Sequence, residues 1–77
     1  MSRSTHARPI TEEAVLARLD RARTAMELSE LFEGRAVWNY ERVRARLLAL
    51  EAKGLVARDE VGRRNVRWRR TAAAGRA

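Results

Sequence analysis

The 77-residue chain has no cysteine, one proline, one histidine, one lysine and only four aromatic side chains. Without cysteine there is no disulfide, no thiolate metal site and no cysteine nucleophile. The single His6 lies in a polar stretch with nothing beside it to orient an imidazole for acid–base work. Ser2, Ser4 and Ser29 have no base near them in sequence. The four glycines form no phosphate-binding loop, and no His/Asp/Glu spacing resembles a metal set. An enzyme is therefore not expected, nor a cofactor, a metal or a small-molecule ligand. No uninterrupted apolar run exceeds four residues, so no membrane span is expected. Met1-Ser2-Arg3-Ser4 leads into no apolar stretch, so no secretory signal is expected and a cytoplasmic site is.

What is present is alanine and arginine. Of 35 apolar residues 14 are Ala, which leaves 21 larger ones to build a core. That suffices for one small domain. The net charge is +7, and 16 of the 17 basic residues are Arg. Residues 1–34 hold five basic and six acidic side chains, whereas residues 35–77 hold twelve and four, net +8. Codon preference can favour Arg over Lys, but it does not segregate charge along a chain. A polyanion is the simplest partner for that asymmetry, and planar guanidinium groups match phosphate bidentately.

Residues 1–9 read as a flexible basic arm carrying Arg3, His6 and Arg8. Residues 10–71 read as the domain, and 72–77 as a short tail of one helical turn or less. Thr11 can cap a first helix over 12–22, with Glu12 and Glu13 in its first turn and Val15, Leu16, Leu19 and Ala22 on one stripe. Thr24-Ala25-Met26-Glu27 is a capping box and predicts a short helix over 25–33. Its apolar face is Leu28, Leu31 and Phe32, and Gly34 is its stop. A connector, 35–38, follows. Asn39 then reads as the cap of a third helix over 40–53, in which Tyr40, Val43, Leu47 and Leu50 share one arc and Gly54 ends the run. Leu55-Val56-Ala57-Arg58 and Val66-Arg67-Trp68-Arg69 predict two strands of a hairpin. Val66 and Trp68 share one face, Arg67 and Arg69 the other.

Helix, short helix, turn, helix and hairpin is the order of a winged helix-turn-helix domain. The run Val43-Arg44-Ala45-Arg46-Leu47-Leu48-Ala49-Leu50-Glu51-Ala52-Lys53-Gly54-Leu55-Val56 resembles the recognition helix and first wing strand of MarR- and GntR-type bacterial regulators. There the pattern is Val-Arg-x-x-Leu-x-x-Leu-Glu-x-x-Gly-Leu-Val. Trp68-Arg69-Arg70-Thr71-Ala72-Ala73-Ala74-Gly75 is similar to the Leu-Thr-x-x-Gly close of such wings. The stretch Phe32 to Val43 is longer than the compact turn of simple repressors, and Trp38 falls in the excess. The expected fold is α+β, mostly α, three helices followed by a two-stranded wing.

The resemblance implies that helix 40–53 enters the major groove of double-stranded DNA. The positions matching Asn39, Arg42 and Arg44 contact DNA in GntR-like proteins. With Val43 at the centre of the buried face, Glu41, Arg42, Ala45 and Ala49 point away, Arg44 and Leu48 lie on one flank, and Arg46 lies on the other. The N-terminal half of the helix nominates Asn39, Tyr40, Arg42, Arg44 and Ala45 for the groove. Arg42 and Arg44 suit guanine O6 and N7. On the hairpin, Arg58, Arg63, Arg64, Arg67 and Arg69 suit backbone phosphate, with Arg63 and Arg64 flanking the Gly62 turn. Arg46 is expected to snorkel along the first helix or to pair with an acid. Trp68 is expected in the core, and Trp38 is expected to pack under the third helix rather than to stack on sugar or base.

The function expected is a small sequence-specific DNA-binding regulator, a repressor type among them, acting as a dimer on DNA through the first helix, the arm or the tail. Two other readings fit the same sequence. One is a winged-helix adaptor for protein contacts, which an acidic or apolar outward face on the third helix would favour. The other is a nonspecific DNA or RNA binder.

Overall fold

The computed structural model describes residues 9–60, 62 and 65–76. Residues 1–8 of the expected arm, and Arg63 and Arg64 at the hairpin tip, lie outside the described residues. The chain is a small α+β domain, mostly helical. Its elements are α1 (Glu12–Ala17), β1 (Arg23–Thr24), α2 (Ala25–Glu30), α3 (Ala36–Ala52), β2 (Val56–Glu60), β3 (Val66–Arg70) and α4 (Ala72–Arg76). The three strands form an antiparallel sheet in the order β1-β3-β2. Four helices and three strands replace the three helices and two strands expected.

Each helix start has a local cause. Thr11 Oγ1 accepts the Ala14 amide at 3.0 Å, and Glu12 and Glu13 sit in the first turn of α1, where the helix dipole favours them. The capping box forms in full at α2. Thr24 donates its amide to Glu27 Oε1 at 2.8 Å, and Thr24 Oγ1 accepts the Glu27 amide at 3.1 Å. At the far end of α3, Gly54 adopts φ 78 and completes a Schellman motif. The Gly54 amide donates to Glu51 O and the Leu55 amide to Leu50 O, both at 2.9 Å.

Three boundaries correct the sequence reading. The first helix stops at Ala17, not at residue 22. The apolar stripe continues to Leu19, which is buried, but the backbone must leave the helix so that Arg23 and Thr24 can pair with Trp68 and Arg67. Arg23 closes the departure by donating from Nε to Arg18 O at 2.9 Å. The second helix ends at Glu30, not at 33, and Leu31, expected in its apolar face, is exposed. The third helix begins at Ala36 rather than at residue 40. Gly34, at φ 98, turns the chain so that Arg35 becomes the N-cap, and it does so without a side-chain cap bond. The long connector is thereby absorbed into the first turn of α3.

The core is one layer between the helices and the inner face of the sheet. Ile10, Val15, Leu19, Leu28, Val43, Leu47, Leu50, Val56 and Trp68 are all buried. Trp68, expected in the core, is there at 3% exposure. Directly opposed residues of antiparallel strands share a face, so Arg58 and Arg23 flank Trp68 on that inner side. Arg67, Arg69, Ala57 and Asp59 share the outer side. The tail is tied down at its start. Thr71 donates from Oγ1 to Gly54 O at 2.7 Å and from its amide to Leu55 O at 3.0 Å, and Ala74 of α4 is buried.

Candidate nucleic-acid interface

The expected contact residues divide by what they touch. Asn39 is neither the cap of α3 nor a group aimed outward. It lies in the second turn of the helix at 5% exposure. Its Nδ2 donates to Glu33 O at 3.0 Å and to Ser29 O at 3.3 Å. It thus ties the α2–α3 turn to α3. The spacing carried the signal, because Asn39, Val43 and Leu47 follow one another at intervals of four along a single helix face.

Of the remaining groove candidates, Tyr40 and Arg44 are brought together. Tyr40 and Arg44 line one wall of a cleft of about 380 Å³, with Met26 and Thr24 of the β1–α2 corner beside them. Arg58, Asn65, Val66 and Trp68 of the hairpin form the facing wall. Arg42 and Ala45 are exposed on α3 beyond the cleft. The cleft therefore opens between the very helix and hairpin that the sequence nominated.

The cations differ in how free they are. Arg58 is held bidentately by Glu51, Nε to Oε2 and Nη2 to Oε1, both at 3.0 Å, and its guanidinium lies 5.1 Å from the Trp68 ring centre. The Glu51 carboxylate beside it pushes the Arg58 pKa up further, so its charge is permanent. Arg69 donates from Nε to Asp59 Oδ2 at 2.9 Å. Lys53 pairs with Glu12 and Arg23 with Asp20. Exposed pairs of this kind are worth about 0–1 kcal/mol each, but they cancel charge locally. Arg42, Arg44, Arg67 and Arg70 have no carboxylate within pairing distance among the described residues. Among the described residues, unpaired arginines thus include two on the middle of α3 and two on β3, while Arg18 and Arg46 donate to backbone carbonyls and Arg35 lies over Trp38.

Two residues depart from expectation in opposite senses. Arg46 neither pairs with an acid nor only snorkels. Its Nε donates to Ile10 O at 2.9 Å and fastens the segment before α1 to α3. Trp38 does not pack beneath α3. It stands in the first turn at 68% exposure, with Val37 at 63% beside it and the Arg35 guanidinium 5.2 Å from its ring centre. Packing is the expectation for a tryptophan in a connector, because a large apolar ring is most often covered. The missing information was that helix α3 begins two residues before it.

No group of three or more His, Asp or Glu side chains among the described residues could hold a metal ion, and no described helix is long and apolar enough to cross a membrane. In comparisons with known proteins, no family model, no curated protein and no solved structure gives a significant match to this chain.

Proposed function

We propose that this chain is a small winged helix-turn-helix protein that binds double-stranded DNA. In this reading α3 lies in the major groove, and the β2–β3 hairpin lies along the flanking backbone as the wing. The observation that carries the proposal is the placement of the unpaired arginines. Arg42 and Arg44 stand exposed on α3, Arg67 stands on the outer side of β3, and a cleft separates the two elements. Five acidic side chains are engaged with backbone or basic partners, and of these Asp59, paired with Arg69, lies on the same side of the sheet as Arg67. The third strand supports the same arrangement mechanically. By pairing with β3, β1 anchors the hairpin to the corner where α2 starts and fixes its distance from α3. Arg42 and Arg44 are the candidates for guanine contact, while Arg67 and the hairpin tip are the candidates for phosphate.

The test is duplex binding as a function of salt, with an excess of unrelated competitor duplex. With about six phosphate contacts, the slope of log affinity against log salt is near −5. Arg44→Ala or Arg42→Ala narrows the gap between preferred and random duplex by roughly 1–3 kcal/mol if a guanine is read. A protein that binds every duplex and single strand alike with one slope is a nonspecific binder. A protein that binds neither, yet captures a defined protein partner, is an adaptor. The exposed apolar side chains on α3 are the one feature that favours the adaptor reading.

A further inference from the structure

Helix α3 carries an apolar crest on the side away from the core. At about 100° per residue, Trp38, Ala45 and Ala52 recur along one line, and Val37, Glu41 and Leu48 lie beside it. All six are exposed. Glu41 is the one charged group among them. The arginines of this helix, Arg42, Arg44 and Arg46, occupy its flanks instead. A helix facing bulk water has the reverse pattern, with charge on its crest.

Apolar crest and cationic flanks have a natural counterpart in the major groove. Phosphate rails border a groove about 12 Å wide, and the only apolar group on its floor is the C5 methyl of thymine, or of 5-methylcytosine. A protein surface covering the same crest would also cover or crowd Arg42 and Arg44, which have no carboxylate partner among the described residues. A duplex offers both of them phosphate or guanine. The first turns of a helix laid in the groove go deepest, and Trp38 stands there. Its ring lies against Arg35 and is two-thirds exposed.

We propose that Trp38, supported by Val37 and Ala45, reads C5 methyl groups on the floor of the major groove, so that the preferred sites of this protein are rich in thymine or carry 5-methylcytosine. This rests on the DNA-binding reading above and adds a chemical class of base to it. Arg42 and Arg44 then set position and guanine preference, and the crest sets methyl preference.

Four duplexes of about two helical turns test it: alternating adenine–thymine, the same with uracil for thymine, alternating guanine–cytosine, and the same with 5-methylcytosine. Within each pair only the methyl differs on the pyrimidine. The methylated member is expected to bind about fourfold tighter for each methyl the ring covers. Trp38→Ala removes that ratio and leaves the salt slope unchanged. Trp38→Phe retains part of it, and Leu31→Ala, exposed but off α3, retains all of it. Trp38 is solvent-facing, so an unchanged melting curve shows that the variants are folded. Steep salt-dependent binding with equal affinity within each pair overturns this inference and leaves the DNA-binding reading standing. Absence of binding to all four, and to a mixed-sequence duplex, overturns both. If Trp38→Ala instead dissociates a dimer of the free protein and leaves the methyl ratio intact, the crest is an interface between copies and the inference falls.

Discussion

Helix α3 has two apolar faces. Inward lie Val43, Leu47 and Leu50, fully or almost fully buried, and outward lie Val37, Trp38, Ala45 and Leu48, all exposed. Residue type does not separate the two faces, because Leu47 and Leu48 are neighbours and both are leucine. What separates them is whether another element of the chain lies over them. α1, α2 and β2 pack against the inner face, whereas the outer one stays exposed, from Leu48 at 38% to Trp38 at 68%. The inner face is the chain's own stability, and the outer face is available for a partner.

The sharpest way to break that comparison is to truncate the two neighbours. Leu47→Ala removes a fully buried side chain and is expected to destabilise the domain by roughly 2–4 kcal/mol, a large part of the stability of so small a protein. Leu48→Ala is expected to change stability by no more than about 0.5 kcal/mol. Chemical denaturation of both variants checks this. Equal losses would mean that the outer face is covered after all.

Asn39 sharpens the comparison from the polar side. Its amide lies on the inner face and is spent on Ser29 O and Glu33 O. Asn39→Ala leaves those carbonyls without that donor and is expected to cost about 1–3 kcal/mol. The salt slope and sequence preference of the folded fraction should not move. A variant as stable as the parent but defective on DNA would return Asn39 to the contact surface.

These residues also show how much could be read from sequence. The capping box at Thr24, the glycine stop at Gly54, the Val43–Leu47–Leu50 arc and the alternation that buries Trp68 are local patterns, and the structure has them all. Features set by long-range contact were not legible. A two-residue strand has no alternation to detect, so β1 emerges only from its pairing with β3. The true start of α3 has no capping side chain, which is why Asn39, a good cap by type, was credited with the role. Arg46 ends on a backbone carbonyl thirty-six residues away, and nothing local encodes that. Of the site, α3 and the hairpin were legible as partners, whereas the pairing of Arg58 and Arg69 with acids was not.

That pairing separates two kinds of arginine on the hairpin. Arg67→Ala removes a cation with no carboxylate partner among the described residues, so it should flatten the salt slope by about one unit with little change in stability. Arg58→Ala removes a bidentate pair with Glu51 and the stem and guanidinium lying against Trp68. It should lower the melting temperature and alter the salt slope by less than Arg67→Ala does, because the loss also frees Glu51. Titrations at several salt concentrations, run beside thermal melts, distinguish the two. Identical slopes and melts would remove the distinction between paired and unpaired arginines on which the proposed interface rests.

The smallest expected effect concerns the acid limb of stability at the corner that joins α2 to the sheet. The Thr24 amide donated to Glu27 holds its carboxyl below the ordinary range, with help from the charges of Arg21, Arg67 and Arg23. A carboxyl depressed by folding adds stability that is complete above its unfolded value and is lost as pH falls through the folded one. The stability of the parent should therefore decline as pH drops below about 4.3. Glu27→Gln keeps an oxygen that can accept the Thr24 amide but cannot titrate, so the cap geometry survives and part of the acid slope disappears. The two proteins should differ at neutral pH and converge in acid. Asp20, held low first by its hydrogen bond to Arg23, titrates in both and leaves a residual slope. Arg67 lies across β1 from this corner, opposite Thr24. Removing its charge should therefore raise the Glu27 pKa toward its ordinary value, which carboxyl NMR titration of Arg67→Ala would detect. An unmoved Glu27 in that variant would show that the Arg67 guanidinium already points away from the α2 corner.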